Sequence, residues 1–177
     1  MGKSTISRSL SKAINASYAV SATTRPEAAD ESKGKTYEHI SQEEFYRRLD
    51  ADEFLEYAQV YGDYYGTPKS PTTDKLLPRG QSVLLEIDVQ GALQIKYQYP
   101  DALLIFILPP DEPTLLKRLQ DRGRDSAADI SRRFRAAKRE IHMARGSRAF
   151  DCFVINDNVD RAVDEISGIV RQKLRGK

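Results

Sequence analysis

Gly2-Lys3-Ser4-Thr5 matches the closing half of the phosphate loop G-x-x-x-x-G-K-[ST], in which a strand feeds a glycine-rich turn and the turn opens a helix around nucleotide phosphates. A lysine beside a hydroxyl at this spacing offers a cation to phosphate oxygens and an oxygen to magnesium. The front half of the motif is absent from the chain. Two other groups carry charge in a pattern. Ser82 to Asp88 is a nearly continuous apolar run that ends in the carboxylates Glu86 and Asp88. Strand alternation sends both to the same side, and the carboxyl end of a buried parallel strand is where open α/β sheets bind ligands. Between Lys117 and Arg148, eleven Lys or Arg stand against four Asp or Glu. Most such runs are solvated helix faces, but the guanidinium fork also matches phosphate oxygens.

The elements that must position these groups follow from hydrophobic spacing. Ile6 and Leu10 predict a short helix from Ser4 to about Ala16, followed by a strand at Ser17 to Ala22 and a loop at Thr23 to Lys35. Ser41 with Glu44 three residues on is a capping signature, so a helix is expected from there to near Asp52. Phe54 to Tyr65, punctuated by Gly62, reads as a pair of small antiparallel strands outside the main sheet. Further strands are expected at Ser82–Asp88, Ala102–Leu108 and Phe153–Asn156, with helices around Gly91–Tyr99, Glu112–Leu119, Asp129–Ala144 and Val159–Leu174. Alternating strands and helices define an α/β layer with a parallel sheet.

The 177 residues suit one domain with inserts, and 40% hydrophobic content with mixed charge excludes a disordered chain. No apolar run approaches the roughly 20 residues of a membrane helix, and a net charge of +2 makes no case for nucleic acid as a partner. Cys152 is the one cysteine and reads as inert core. With no second cysteine and no leader-like start, the expected home is a reducing cytoplasm.

Six stretches in order, Ser21-Ala22-Thr23-Thr24-Arg25, Glu53-Phe54-Leu55-Glu56, Gly62-Asp63-Tyr64-Tyr65-Gly66-Thr67, Leu85-Glu86-Ile87-Asp88-Val89-Gln90-Gly91-Ala92, Arg118-Leu119-Gln120-Asp121-Arg122-Gly123 and Val154-Ile155-Asn156-Asp157, resemble guanylate kinase over nearly the whole chain. The resemblance implies the P-loop nucleoside monophosphate kinase fold: a parallel sheet core flanked by helices at 1–23, 83–117 and 134–177, a GMP-binding insert at 24–82, and a helical lid at 118–133. It implies transfer of the terminal phosphoryl group of ATP to GMP with Mg2+, chemistry in which the protein positions reactants and neutralises charge. Arg25, Tyr37 and Tyr65 then match the groups on the GMP phosphate, although two tyrosines in an aromatic segment also suit packing. Glu56 matches the carboxylate that accepts from the guanine ring N–H and amino group, Thr67 a hydroxyl donor to the guanine carbonyl, and Ser21 and Glu86 positions lining the base. Gly2, Lys3, Ser4 and Thr5 match the ATP phosphate loop, and Asn156 with Asp157 the turn beside the adenine. Ser4 and Asp88 match magnesium or its water shell. Arg118, Arg122 and Arg133 match lid arginines that stabilise transferring charge. Arg124, Arg132, Arg135 and Arg139 have no such match and read as a solvated face. Two other functions fit parts of the pattern: a guanylate-kinase-like binding module that has lost catalysis, and a small P-loop kinase for a sugar phosphate. Oligomeric state is not legible.

The chain departs from the family pattern twice. The first strand and first P-loop glycine are absent, so the natural protein is expected to begin further upstream; a central strand lost from a sheet leaves buried backbone groups that cost about 1–3 kcal/mol each. Ala28 stands where the family usually has another arginine on the GMP phosphate, with Lys33 or Lys35 near enough in sequence to compensate in part. Loss of one charge-assisted hydrogen bond is worth about 1.5–3 kcal/mol. Ala28→Arg in an active form is therefore expected to tighten GMP by about one to two decades, measured as KM for GMP; no gain in affinity would overturn the assignment of position 28.

Overall fold

The structure is a computed structural model that describes residues 2–27, 37–121 and 126–176. Arg122, Arg124, Ala28, Lys33 and Lys35 lie outside the described residues. The chain divides into two compact units, Met1–Ile14 with Asp101–Lys177, and Asn15–Pro100.

In the first unit, helix α1 (Lys3–Ala13) packs on α6 (Val159–Arg175). Ile6 and Leu10 are the buried residues of α1, and Ala162, Val163 and Ile166 are buried on α6, as an apolar stripe at helical period requires. Strands β7 (Ile105–Leu108) and β8 (Cys152–Ile155) form a parallel ladder with Ile105 opposite Cys152 and Leu108 opposite Ile155. Helix α4 (Glu112–Gln120) starts on Asp111, whose carboxylate accepts from Thr114 N–H, and α5 (Ala127–Ser147) starts on Ser126. Leu115, Leu119 and Ala137 bury a small core between α4 and α5, joined by Ile130 and Phe134. Burial raises the Cys152 thiol pKa above its ordinary value, which suits a structural role.

The second unit holds two sheets. Strands β1 (Ser17–Tyr18) and β6 (Val83–Leu84) pair in parallel, while β2 (Ser21–Thr23), β3 (Tyr37–His39), β4 (Phe54–Val60) and β5 (Asp63–Pro68) form a mixed sheet ordered β3-β2-β5-β4. The strand expected at Ser17–Ala22 is thus two strands. Its first residues pair with β6, whereas Ala22 lies antiparallel to Gly66 of β5. For the same reason the Ser82–Asp88 run carries a ladder with β1 only over Val83–Leu84: its partner leaves after Ala19 N–H bonds Leu84 O. Strand β3, inside the aromatic segment, was not expected; it runs parallel to β2 with Ser21 opposite Tyr37. The hairpin β4–β5 turns at Tyr61–Gly62, both at positive φ, and its register shifts between Phe54 and Glu56.

Helix α2 (Gln42–Asp50) begins where the capping signature placed it, with Ser41 Oγ accepting from Glu44 N–H at 3.1 Å. It buries Phe45 against Ala22 and Phe54. Helix α3 (Val89–Gln98) begins on Asp88 and packs against β4. Among the described residues no helix is long and apolar enough to cross a membrane.

Phe45 is fully buried and stacks on Phe54 with ring centroids 4.7 Å apart. Phe45→Ala is expected to cost about 3–5 kcal/mol through lost transfer energy and a residual cavity, read as a shift of the urea midpoint at constant slope; a loss below about 1 kcal/mol would show that α2 does not hold this sheet.

Candidate functional site

Among the described residues of the second unit, Glu56 is the most deeply buried charge-bearing residue, with 4% exposed. Strand β5 supplies its donors: Thr67 Oγ1 donates to Glu56 Oε1 at 2.6 Å and Thr67 N–H donates to the same oxygen at 3.1 Å. Ser21 Oγ lies 3.2 Å from Thr67 Oγ1. Because the hydroxyl hydrogen of Thr67 points at Glu56, Ser21 is the donor in that contact, and the three residues form a relay ending on the carboxylate. Burial pushes the Glu56 carboxyl up to about 7, opposed by the Thr67 hydroxyl bond and reinforced by the nearby negative charge of Asp88. Ser21, Glu56, Thr67 and Asp88 are thus brought to one place. Thr67, expected as a donor to a ligand carbonyl, here spends its hydrogen holding Glu56.

The two carboxylates of the 86–88 run have separate surroundings. Glu86 Oε2 accepts from Tyr18 OH at 3.0 Å, across the β1–β6 pair. Asp88 caps α3, its Oδ1 accepting from Gly91 N–H at 2.9 Å and its Oδ2 from Gln90 Nε2 at 3.1 Å. The charge of Asp88 acts on Glu56.

A second cluster forms at the start of β3. The Arg25 guanidinium lies 5.8 Å from the centre of the Tyr37 ring, and Tyr37 meets Tyr65 edge-on at 5.6 Å. One fork and two phenol hydroxyls within one cluster suit an oxyanion with several acceptor oxygens. His39, which sequence reasoning passed over, secures the loop: its Nδ1–H donates to Arg25 O at 2.7 Å, while Arg25 N–H donates to Thr23 Oγ1 at 3.2 Å. A histidine two residues after Tyr37 on the same strand face was the available signal.

The first unit carries the phosphate-loop remnant. Gly2 sits at φ +77°, a left-handed conformation natural to glycine, and a Cβ there would lie 2.6 Å from Asn156 Nδ2. Lys3, Ser4 and Thr5 form the first turn of α1. Asn156 follows β8, is 2% exposed, and accepts from Arg118 Nη1 on its carbonyl oxygen at 2.9 Å. Arg118 of α4, Asn156 and Gly2 are thereby linked. Asp157 is exposed and accepts from Arg161, and Arg133 lies half-buried on α5. Arg132 pairs with Asp129 at the exposed start of α5, as a solvated face would.

A phosphate-loop remnant opening a helix, parallel strand pairs flanked by helices and a mixed-sheet segment with a buried carboxylate define a P-loop α/β kinase of the nucleoside monophosphate class. The guanylate kinase family model matches residues 1–173. The chain is 42% identical to guanylate kinase of Clostridium acetobutylicum, over 96% of this chain and 79% of that one, and 44% identical to guanylate kinase of Caldanaerobacter subterraneus subsp. tengcongensis, over 96% and 81%. The crystal structure of guanylate kinase from Anaplasma phagocytophilum superposes with a TM-score of 0.77 at 30% identity, covering 97% of this chain and 81% of that one. The chain belongs to the guanylate kinase family.

The raised Glu56 pKa has a sign that can be checked. Relative to a carboxyl of ordinary pKa in the unfolded chain, the neutral folded form contributes stability below pH 4.5 that is lost as pH rises through about 7. Glu56→Gln, which stays neutral, is expected to flatten the fall in melting temperature between those limits and to be more stable than the parent at pH 8. A variant with the parent's pH dependence would show that Glu56 is ionised throughout.

Proposed function

We propose that this chain carries out its family's reaction, transfer of the terminal phosphoryl group of ATP to GMP to give ADP and GDP, in a single in-line step. The observation that carries the reading is the buried Glu56 carboxylate, fixed by Thr67 on one oxygen and standing beside Asp88. An ionised carboxylate accepts from the ring N–H and amino group of guanine, donors that adenine lacks at those places. Arg25, Tyr37 and Tyr65 take the GMP phosphate. Ser21 orders Thr67, and Glu86 lines the same region from its bond to Tyr18.

On the ATP side, Gly2, Lys3, Ser4 and Thr5 bind phosphate with the amides and cation of the first α1 turn. Asn156, buried against Gly2, supports that turn. Arg118, Arg122 and Arg133 place positive charge where the transferring group becomes more negative. Exclusion of water from the transferring group keeps ATP from being hydrolysed. Kinases of this family use ATP and generally need a divalent metal such as Mg2+. The donors suit a hard cation: a serine hydroxyl and a carboxylate are oxygen ligands, and magnesium typically takes one or two carboxylates with phosphate oxygens and water. Ser4 Oγ in the first unit and Asp88 in the second are each suited to hold such a cation or its water shell, and a bound cation would screen phosphate charge.

The binding-module and sugar-phosphate readings are not favoured, because relatives over 96% of the chain are guanylate kinases and Lys3, Ser4, Arg118 and Arg133 are all retained. A lone, structural Cys152 suits a cytoplasmic location.

A coupled assay with ATP and a panel of GMP, AMP and a sugar phosphate tests the reading. GMP is expected to be the preferred acceptor, and Arg25→Ala is expected to raise KM for GMP by about one to two decades while KM for ATP stays within about twofold. Turnover of the sugar phosphate alone, or phosphopeptide binding without GMP turnover, would sink it.

A further inference from the structure

Strand β4 lies at the edge of its sheet and carries Glu56 beside a register shift. The tight turn fixes the register at the far end of the hairpin, whereas the ladder is irregular beside Glu56, where a slip of one residue would turn its carboxylate to the opposite face. One face of α3 prevents this. Gly91, Gln94 and Gln98 stand at i, i+3 and i+7, the spacing that stacks residues along one side of a helix. Gln94 Nε2 donates to Tyr57 O at 2.7 Å and Gln94 Oε1 accepts from Tyr57 N–H at 3.1 Å, so one side-chain amide serves both backbone groups as a neighbouring strand would. Gln98 Nε2 donates to Leu55 O at 2.8 Å. The residues on either side of Glu56 are therefore gripped by the helix. Between them, Glu56 Oε2 rests against the backbone of Gly91, where a Cβ would overlap it and would also press on its Cδ at 2.9 Å.

We propose that the Gly91–Gln94–Gln98 face of α3 positions Glu56 and so sets the preference for guanine over purines without a 2-amino group. None of the three touches the base in this account; they are positioning residues. The proposal rests on the GMP kinase reading above. Helix formation alone does not call for a glycine in the first turn of α3; what a Cβ at Gly91 would meet is the Glu56 carboxyl group.

The test compares GMP with IMP, which lacks the 2-amino group. Gly91→Ala is expected to raise KM for GMP about tenfold or more, because small misplacements of a binding group carry large penalties. KM for ATP should move less than about twofold, and the ratio of GMP to IMP turnover should fall toward one. In a Glu56→Ala background the same change should alter KM for GMP by less than about twofold, since the group it displaces is gone. An equal factor in both backgrounds, or an unchanged ratio in a folded variant, overturns the proposal. If Gly91→Ala does not fold, Gln94→Met carries the test, with an expected rise of about threefold or more in KM for GMP from the loosened edge; a parent-like KM overturns it. A readout independent of turnover is the carbon-13 titration of the Glu56 carboxyl, assigned with Glu56→Gln. Its midpoint is expected to fall from about 7 toward the ordinary carboxylate value in Gly91→Ala as the group is forced into solvent. A parent that fails to phosphorylate GMP would refute the functional reading, while an unmoved midpoint would refute the positioning.

Discussion

Much of the second unit is arranged around one buried carboxylate. Removing Glu56 from water is unfavourable for its charged form, and the cost appears as a pKa displaced to about 7. Two donors from Thr67 offset part of that cost, and both converge on one oxygen. The geometry needs β5 at hydrogen-bonding distance from β4, with Thr67 opposite Glu56. It needs β2 on the other side of β5, so that Ser21 reaches Thr67. The mixed sheet, the irregular register at Phe54–Glu56 and the glycine at the start of α3 are consequences of the same requirement: a charge held nearly dry must have its oxygens fixed.

The first unit solves a different problem with backbone groups. A phosphate loop works through amides and a helix start, so its precision comes from how closely chain can approach chain. Gly2 lies against the Asn156 side chain with no room for a methyl group, and the Asn156 carbonyl takes an Arg118 hydrogen bond. Asn156 is buried, so it acts through the elements it supports. The contrast between the units is chemical. In the proposed reaction, base selectivity rests on a buried side-chain carboxylate and phosphate binding on backbone dipoles and cations.

Features governed by neighbours in sequence were legible. The Ser41 cap, the Asp88 run ending at a helix start, the hairpin turn at Gly62 and the long C-terminal helix all depend on contacts within a few residues, and each is present. The candidate site residues were identified by type and order, and Ser21, Glu56 and Thr67 do converge. What could not be read were partner choices between distant segments. Ser17 to Ala22 has one continuous strand pattern, yet its halves join different sheets, because β6 and β5 offer edges that no local signal distinguishes. Alternation along a strand would send Glu86 and Asp88 to one side, yet one bonds Tyr18 and the other caps α3, since the strand ends at Leu84, before both carboxylates.

The sequence by itself determined the chemistry available: a lysine and hydroxyl after a glycine, a carboxylate flanked by aromatics, arginines in a basic segment, and the helices and turns whose hydrogen bonds close locally. Tertiary structure alone decided which oxygen of Glu56 is satisfied, that Thr67 spends its hydrogen on Glu56, that His39 holds the Arg25 loop, and that Gln94 and Gln98 serve as partners to an edge strand. The physical reason is range. Propensity and capping act over one helical turn, whereas desolvation and hydrogen-bond satisfaction depend on whatever the folded chain brings alongside, here from residues 11 to 46 positions away.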